Sequence, residues 1–534
     1  MDIEDDVVLY GGVVPVTPKA VRRFREPVIF LVALNLNHKR NLKRNNDAPR
    51  SLESETDEVF HNFVCKLGQI CDWRPGGDTV TSFAVQQHPD KVEYVFGCNY
   101  RRPIPLRTVH GFITSILETL RDVREIENEE QQDVFESSLL RDILEHSRSR
   151  VKCYLNGLAA STEACIDLCK AENTKQAHEH RERFCHIRDA VALASQADSD
   201  EDDIFEHIES LLEQLQRLQS TRRFALFVRQ RAADDRARNT EPWREFNHHC
   251  GRLISYKRAI QVFMDAALIW PELFDKFEVT AVPSSARDRI LMDGNPPSAV
   301  DIINRMKLPP EDAASCIKVA ENLQQMLGLD SVIKEQWNNR NARLTVHAEV
   351  LVHNYLERIG GTRPERFFNN WRFVGSSKPT CRLCHYYFLS HGGGVEVRGT
   401  SGNLYANWRM PDYADVHGCR TEAGAAQKRL ELMQAISTRI KQEVARTLKE
   451  GVTNTRTHDS STSMTSRSLQ VARLGGSLVT QTAPGGQRTL GRQARGPVDV
   501  NSEDSELEVV ESGDGVEAGG ETDDEREAES RVEG

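Results

Sequence analysis

The sequence has no apolar run long enough to cross a lipid bilayer. Its most apolar stretch, residues 28–36 (VIFLVALNL), is nine residues long, whereas a spanning helix needs about 20. We expect a buried helix or strand there. The sequence also lacks the basic start of a secretory signal peptide, because its first residues are acidic (MDIEDD). Twelve scattered cysteines without such a signal favour a reducing compartment. We therefore expect an intracellular protein, cytoplasmic or nuclear, that does not enter a membrane.

The sequence has no strong excess of positive charge either. Its net charge is −11, and residues 452–534 account for most of it with 16 acidic and 8 basic residues. Residues 341–420 contain 10 basic and 6 acidic residues. This mild local excess permits an anionic substrate, but it is far from the basic stripe of a dedicated nucleic-acid-binding protein.

Four regions follow from composition and periodicity. Apolar residues recur at helical spacing between residues 106 and 290 (ITSILETLRDV, SSLLRDILEH, IFEHIESLLEQLQRL). The tail has few aromatic residues and cannot bury enough surface to order itself. The predicted regions are 1–105, mixed α/β; 106–290, helical; 300–451, α/β with a closing helix; and 452–534, a disordered acidic tail.

The alternation of strands and helices beyond residue 300 predicts α/β layering. The fold class is therefore α+β or α/β, with a mostly helical first part. Two strands joined by a turn at His88–Asp90 are expected near the N-terminus. The predicted strands are Val80–Ala84, Val92–Phe96, Trp371–Val374 and Val395–Arg398, and the predicted helices are Ala313–Leu327, Leu344–Ile359, Cys381–Leu389 and Met433–Leu448.

Two short motifs carry groups suited to metal chemistry. His347 is followed two residues later by Glu349, and Cys381 stands three residues before Cys384 at a predicted helix start. Cysteines with this spacing project their sulfurs to one helix face, and a helix N-terminus favours the thiolate form. One imidazole and two thiolates leave the fourth tetrahedral position of a zinc ion open, as in catalytic zinc sites. The sequence therefore predicts Zn²⁺ bound by His347, Cys381 and Cys384.

Glu349 is the predicted proton carrier of this site. A carboxylate two residues after a ligating histidine can lie beside the reacting water without binding the metal. It would take a proton from water and deliver it to a ring nitrogen and then to the leaving amine. The same pairing of H-x-E with C-x-x-C is the signature of zinc deaminases that act on nucleobases.

The motifs resemble those of the cytidine deaminase-like superfamily. More narrowly, the chain is similar to a mostly fungal, largely uncharacterised deaminase-like family first labelled from an Orientia open reading frame. That likeness rests on Gly375–Lys378, Arg398–Gly402 and Trp408–Pro411 around the cysteine pair. The zinc deaminase signature has a proline directly before its first cysteine, whereas in this sequence Thr380 separates Pro379 from Cys381. The resemblance covers roughly residues 310–415 and implies a mixed five-stranded sheet flanked by helices.

This fold also requires a β-hairpin just before the histidine helix, where only residues 330–346 are available. Two alternatives are open there. Residues 332–337 and 342–346 could form a small hairpin that turns at 338–341, or the stretch could continue as helix.

Other histidines and cysteines are further candidate ligands. A structural zinc site would need a fourth ligand, for which His385, His391 and Cys419 are candidates. The clusters at residues 178–186 and 248–250 are expected to be helix faces or local packing. Trp408 and Tyr405 could stack on a base, although packing is the favoured role.

The predicted function is zinc-dependent hydrolytic deamination of an amino-substituted nucleobase, free or in nucleic acid. The alternative is a helical interaction protein that carries an inactive deaminase-derived zinc module. Protein partners are expected through the helical region and the acidic tail.

Overall fold

The structure is a computed structural model that describes residues 17–38, 55–172, 174–195, 201–233, 239–289, 294–339, 342–411 and 422–450. The predicted disordered tail, residues 452–534, lies outside the described residues. The same holds for Cys419.

Helices dominate the described residues. The helices are α1 Pro18–His38, α2 Glu55–Cys71, α3 Pro103–Arg121, α4 Glu129–His146, α5 Arg148–Glu172, α6 Lys175–Ala194, α7 Glu201–Ser220, α8 Arg222–Ala233, α9 Glu241–Ile269, α10 Glu272–Asp275, α11 Ala299–Met306, α12 Pro310–Leu327, α13 Leu329–Trp337, α14 Ala348–Arg358, α15 Arg382–His391 and α16 Glu422–Glu450. The apolar run at residues 28–36 forms part of α1. Within the described ranges, no helix is both long enough and apolar enough to cross a bilayer.

A mixed five-stranded sheet lies among these helices. The strands are β1 Thr81–Gln87, β2 Val92–Cys98, β3 Phe277–Val282, β4 Asp288–Arg289, β5 Arg343–Leu344, β6 Phe373–Ser376 and β7 Glu396–Val397. The sheet has the order β3-β2-β1-β6-β7, and β4 pairs with β5 separately. Strand β1 is antiparallel to β2 and to β6, whereas β3 is parallel to β2 and β7 is parallel to β6. The fold class predicted from the sequence, α+β with a mixed sheet, is confirmed.

Alternate side chains of the strands enter two different apolar cores, because successive strand residues point to opposite sheet faces. Phe83, Tyr94 and Phe373 join a core formed with α2–α9, which we call the helical face. Ala84 and Val374 join a core formed with α1 and α11–α16, which we call the site face.

The hairpin that the resemblance required comes from an unexpected part of the chain. Residues 329–337 form helix α13, so the strand predicted at 332–337 is wrong. The continuous helix is wrong as well, because residues 343–344 form the short strand β5. The paired strands β1 and β2 instead pack against α14. The sequence predicted these two strands and the turn at His88–Asp90 between them, and both are confirmed. In the sequence, the helices α3–α10 thus lie between the hairpin and α14, the helix that follows His347. The sheet therefore combines strands from the predicted N-terminal region with strands from the predicted zinc domain.

Two glycines allow close approach between the sheet and its covering helices. A Cβ added at Gly68 of α2 would lie 2.7 Å from the backbone oxygen of Thr81, at the start of β1. A Cβ at Gly97 of β2 would lie 3.2 Å from the side chains of Leu351 and Val352 on α14. The hairpin is therefore held tightly between α2 and the helix that carries Glu349.

Candidate metal centre and proton-transfer site

The N-terminus of α14 positions His347 and Glu349. Helix α14 begins at Ala348 rather than at the predicted Leu344, because residues 343–344 pair as β5 with β4. His347 is the N-cap residue with an extended backbone (φ −73°, ψ 149°), and its side chain makes no capping bond. The amide oxygen of Asn99, just after β2, instead accepts a 2.7 Å hydrogen bond from the Ala348 N–H. This bond ties the end of the hairpin to the first turn of the helix.

The N-terminus of α15 positions the cysteine pair. Cys381 is the N-cap residue, and its Sγ accepts a 3.4 Å bond from the Cys384 N–H. The loop before it is fixed by backbone bonds from Thr380 to Gly399 (3.2 Å) and from Ser401 to Thr380 (2.9 Å). Because β2, β6 and β7 run in the same direction, Asn99 and this loop meet at one sheet edge.

The three predicted ligands meet at this edge. His347 Nδ1 lies 3.3 Å from Cys381 Sγ and 3.3 Å from Cys384 Sγ. All three residues are buried. In a tetrahedral zinc site with bonds of about 2.0 Å to nitrogen and 2.3 Å to sulfur, the donor atoms would lie about 3.5 Å apart. The observed spacing fits, so the cluster can hold a metal ion.

The two thiols have opposite pKa shifts. Burial opposes ionisation of both, but hydrogen bonds from Cys384 and the nearby His347 hold the pKa of Cys381 well below its usual range. Burial and the neighbouring Cys381 sulfur raise the pKa of Cys384. The pair thus favours a single negative charge in the absence of a cation, and a bound cation would favour the second thiolate.

Glu349 is buried beside the cluster but does not belong to it. Its pKa is raised chiefly by burial, while the nearby His347 opposes this shift. The Cys384 side chain also influences the pKa of this carboxyl, as does Cys381, which places Glu349 next to the sulfur ligands. A carboxyl in this position can exchange protons with a reactant at the metal without occupying a ligand position.

No fourth protein ligand joins the cluster among the described histidine, cysteine and acidic side chains. His391 lies instead with His353 and Glu357, where its Nε2 is 3.0 Å from a Glu357 oxygen. His385 is likewise outside the cluster, and Cys419 lies outside the described residues. For His385 and His391, the structural-zinc alternative is therefore wrong.

The structure reveals partners of the site that the sequence did not indicate. Trp408 is buried, and its Nε1–H donates a 3.1 Å hydrogen bond to Cys384 Sγ. The favoured packing role of Trp408 is thus confirmed, with an added bond to a ligand atom. The half-buried Tyr405 ring lies edge-on to His347, with ring centroids 5.8 Å apart. One sequence signal pointed to this contact, namely that Trp408 lies near the end of the segment that resembles the deaminase-like family.

A buried ion pair fixes the cysteine helix to the closing helix. Arg382, next to Cys381, lies 2.8 Å from Glu443 of α16, and both side chains are 4% exposed. Tyr386 donates a further hydrogen bond to Glu443. Neither Glu443 nor Asn99 was predicted as part of the site surroundings, because each is distant in sequence from the motifs.

The other histidine clusters have packing roles. His180 is buried against Phe227, with ring centroids 4.1 Å apart. His249 pairs with Glu245 at 3.2 Å, and Cys250 is buried. Neither cluster has metal-binding geometry among the described side chains.

Comparison with known proteins identifies one likeness. Residues 346–412 match the model of a family described as OTT_1508-like deaminase. No curated protein and no solved structure matches the chain. The matched segment contains His347, Glu349, Cys381 and Cys384, so it supports a deaminase-like domain built around the metal cluster.

Proposed function

We propose that this protein is a zinc-dependent hydrolytic deaminase of an amino-substituted nucleobase, carried by a nucleoside, a nucleotide or single-stranded nucleic acid. The proposal rests on one observation: three metal-binding side chains are buried together, and the buried Glu349 lies next to them without being one of them. A structural metal site needs a fourth ligand and has no use for a buried carboxyl. The match to a deaminase-like family supports the same reaction.

The donor set fits zinc. One imidazole and two sulfurs suit this ion in type and spacing, and they leave room for a non-protein ligand. Zinc bound by His347, Cys381 and Cys384 would supply Lewis-acid activation of water for attack on the carbon that bears the amino group. The Trp408 hydrogen bond would orient Cys384 and disperse part of its negative charge, as outer contacts of metal ligands do.

Glu349 would move the protons. In the net reaction, water replaces the amino group, a carbonyl forms and ammonia leaves. The carboxylate takes a proton from water and donates it to the ring nitrogen. It then takes the proton of the hydroxyl newly added to the ring carbon, as the carbonyl forms, and delivers this proton to the leaving amine. Because Glu349 is buried, its charge is weakly screened, which strengthens its interaction with a nearby reactant.

The rival function is a helical interaction protein whose deaminase-like domain no longer turns over. Its basis is the large share of the chain in α3–α10, which lie outside the family-like segment. Both functions bind zinc, so metal content cannot separate them. An activity that depends on Glu349 would separate them.

The test is an ammonia-release screen of nucleosides, nucleotides and single-stranded oligonucleotides with wild type and Glu349→Gln. We expect Glu349→Gln to keep its zinc and to lose activity by about 10²–10⁴-fold or more, because acid–base groups contribute this much. The matched control is Glu396→Gln, at an exposed carboxyl at the start of β7. We expect this control to stay active. Activity that survives Glu349→Gln would refute the mechanism, and stoichiometric zinc without activity on any substrate would favour the rival.

A further inference from the structure

A second group of ligand-type side chains lies on the same two helices as the candidate metal centre. His353 and Glu357 lie one turn apart on α14, and His391 ends α15. One donor atom of each residue lies within 4.8 Å of the donor atoms of the other two. We call these three residues the second cluster. Among the described side chains, this cluster and the candidate metal centre are the two sets of donors close enough to hold an ion.

The two imidazoles of the second cluster converge on one carboxylate oxygen. His391 Nε2 lies 3.0 Å from Glu357 Oε2, and His353 Nδ1 lies 3.9 Å from the same oxygen. The two rings are nearly perpendicular, at 81°, with centroids 4.7 Å apart. Within the described residues, these histidines are the ion-pair partners of Glu357. The carboxylate therefore has no lysine or arginine there to balance its charge.

The second cluster is largely removed from solvent. The side chains of His353, Glu357 and His391 are 1%, 10% and 20% exposed, so an ion would reach the cluster past His391. Burial and the neighbouring His391 hold the pKa of His353 well below its usual range. This imidazole is therefore neutral near pH 7, which is the form that binds metals. A divalent cation would balance the buried carboxylate where a neutral imidazole does not.

The donor set suits a divalent first-row metal. Two imidazoles and one carboxylate bind such ions and leave further positions open for water. The Tyr387 hydroxyl, 3.1 Å from His353 Nδ1, is another oxygen next to the cluster. Donors of a bound ion would lie about 3.0–3.5 Å apart, so His353 must move closer to Glu357 when the ion binds. We therefore expect weaker binding than at the candidate metal centre, whose donors already have the required spacing.

The second cluster is too far from the candidate metal centre for the two ions to share one reaction. His353 follows His347 by six residues, which corresponds to about 9 Å along the helix. Paired catalytic metal ions lie about 3.5–4 Å apart. An ion at the second cluster would thus connect α14 to α15, and it would not bind the reacting group together with the first ion.

We propose that His353, Glu357 and His391 form a second divalent-metal site that crosslinks α14 and α15. Zinc, cobalt and nickel ions are the class of ligand, because imidazole with carboxylate suits these metals. The site does not depend on the proposed deaminase function. Because it binds more weakly than the candidate metal centre, purified and desalted protein keeps one zinc ion, and the second site fills when metal is added.

The experiment adds Co²⁺ to the desalted, zinc-containing full chain and follows binding by calorimetry and by absorption. We expect about one further cobalt ion per chain, bound by nitrogen and oxygen donors. The thiolate-to-cobalt charge-transfer absorption should stay absent, because that band would report exchange of zinc for cobalt at Cys381 and Cys384. The melting temperature should rise as cobalt is added, since an ion that binds the folded state alone stabilises it.

The test variants are His391→Gln and Glu357→Gln, made singly because the almost fully buried His353 is the riskier change for folding. Each should lower cobalt affinity by about 100-fold or more, because even outer contacts of metal ligands contribute about 10–100-fold. The matched control is His178→Gln, which breaks an exposed pair with Glu182 at the same four-residue spacing on α6. This control should bind cobalt as wild type does.

Absence of any cobalt binding to the zinc-containing protein would overturn the proposal. Equal cobalt affinities of wild type, His391→Gln and Glu357→Gln would overturn it as well, because the ion would then bind at surface histidines only. A loss of binding in His178→Gln would identify such a surface site directly. None of these outcomes would alter Glu349-dependent activity, so a failure of the second site is distinguishable from a failure of the proposed deaminase function.

Discussion

The two faces of the sheet differ in what positions their helices, although each contains a buried ion pair, Arg150 with Asp72 on the helical face and Arg382 with Glu443 on the site face. The helical face is packed largely by aromatic and aliphatic side chains, as in the group of Phe184, Phe227 and Trp243. The site face also has an apolar core, but directed polar contacts position its key elements. Asn99 binds the first turn of α14, and Arg382 binds Glu443 between α15 and α16.

This difference follows from the tasks of the two faces. Hydrophobic burial is non-directional and tolerates small shifts of packed helices. A metal cluster requires its donor atoms at defined distances, and hydrogen bonds and ion pairs fix direction as well as proximity. Damage to the site face should therefore change metal binding, whereas damage to the helical face should change stability alone.

The largest effect is expected from removal of the metal ligands. Wild type should contain about one zinc ion per chain, and Cys381→Ser with Cys384→Ser should contain none, because serine hydroxyls replace both thiolates. Elemental analysis of purified protein measures this directly. Chelation of wild type should lower its melting temperature, and the same chelator should leave the double variant unchanged. Zinc retained by the double variant would place the metal elsewhere.

The next effect concerns the buried ion pair of the site face. Glu443→Gln leaves the Arg382 charge buried without its partner, which should destabilise the protein by about 3–5 kcal/mol. Zinc affinity should decrease as well, because α15 loses its link to α16. Denaturant unfolding and zinc competition measure both changes. The control combines Arg382→Met with Glu443→Leu, which removes both charges and should recover most of the stability. No recovery would show that the pair acts through more than charge compensation.

A cavity on the helical face should have a smaller and purely thermodynamic effect. Leu253 of α9 is fully buried, and Leu253→Ala should cost about 2–5 kcal/mol of unfolding free energy. The folded variant should keep its zinc content and its Glu349-dependent activity. A lower zinc affinity in this variant would show that the two faces are coupled. The expected difference between the faces, metal binding on one and stability alone on the other, would then be wrong.

The smallest effect is expected from the tail. Truncation after residue 455 should shift the melting temperature very little, because the composition of the removed segment provides no core. Thermal unfolding of full-length and truncated protein measures this. A large decrease would mean that the tail packs against the folded part.

Sequence-based prediction was accurate where its signal came from residues adjacent in the chain, and it failed where an element's partner lies far away in the sequence. The hairpin strands were predicted because their alternating pattern and turn residues are adjacent in the chain. The strand alternative at residues 332–337 was wrong because these residues form α13, and the hairpin that packs against the histidine helix comes from residues 81–98, far away in the chain. Apolar periodicity identifies an element, but it does not specify the partner on which that element packs.

By itself, the sequence determined the candidate ligands and the candidate proton carrier. His347 with Glu349, and Cys381 with Cys384, each lie within one helical turn, where spacing along the chain dictates relative position. Only the tertiary structure decided what surrounds them. Asn99 reaches α14 across 249 residues, and Arg382 pairs with Glu443 of the closing helix. Such contacts depend on how helices and strands pack, and non-directional burial leaves no partner-specific signal in a single sequence.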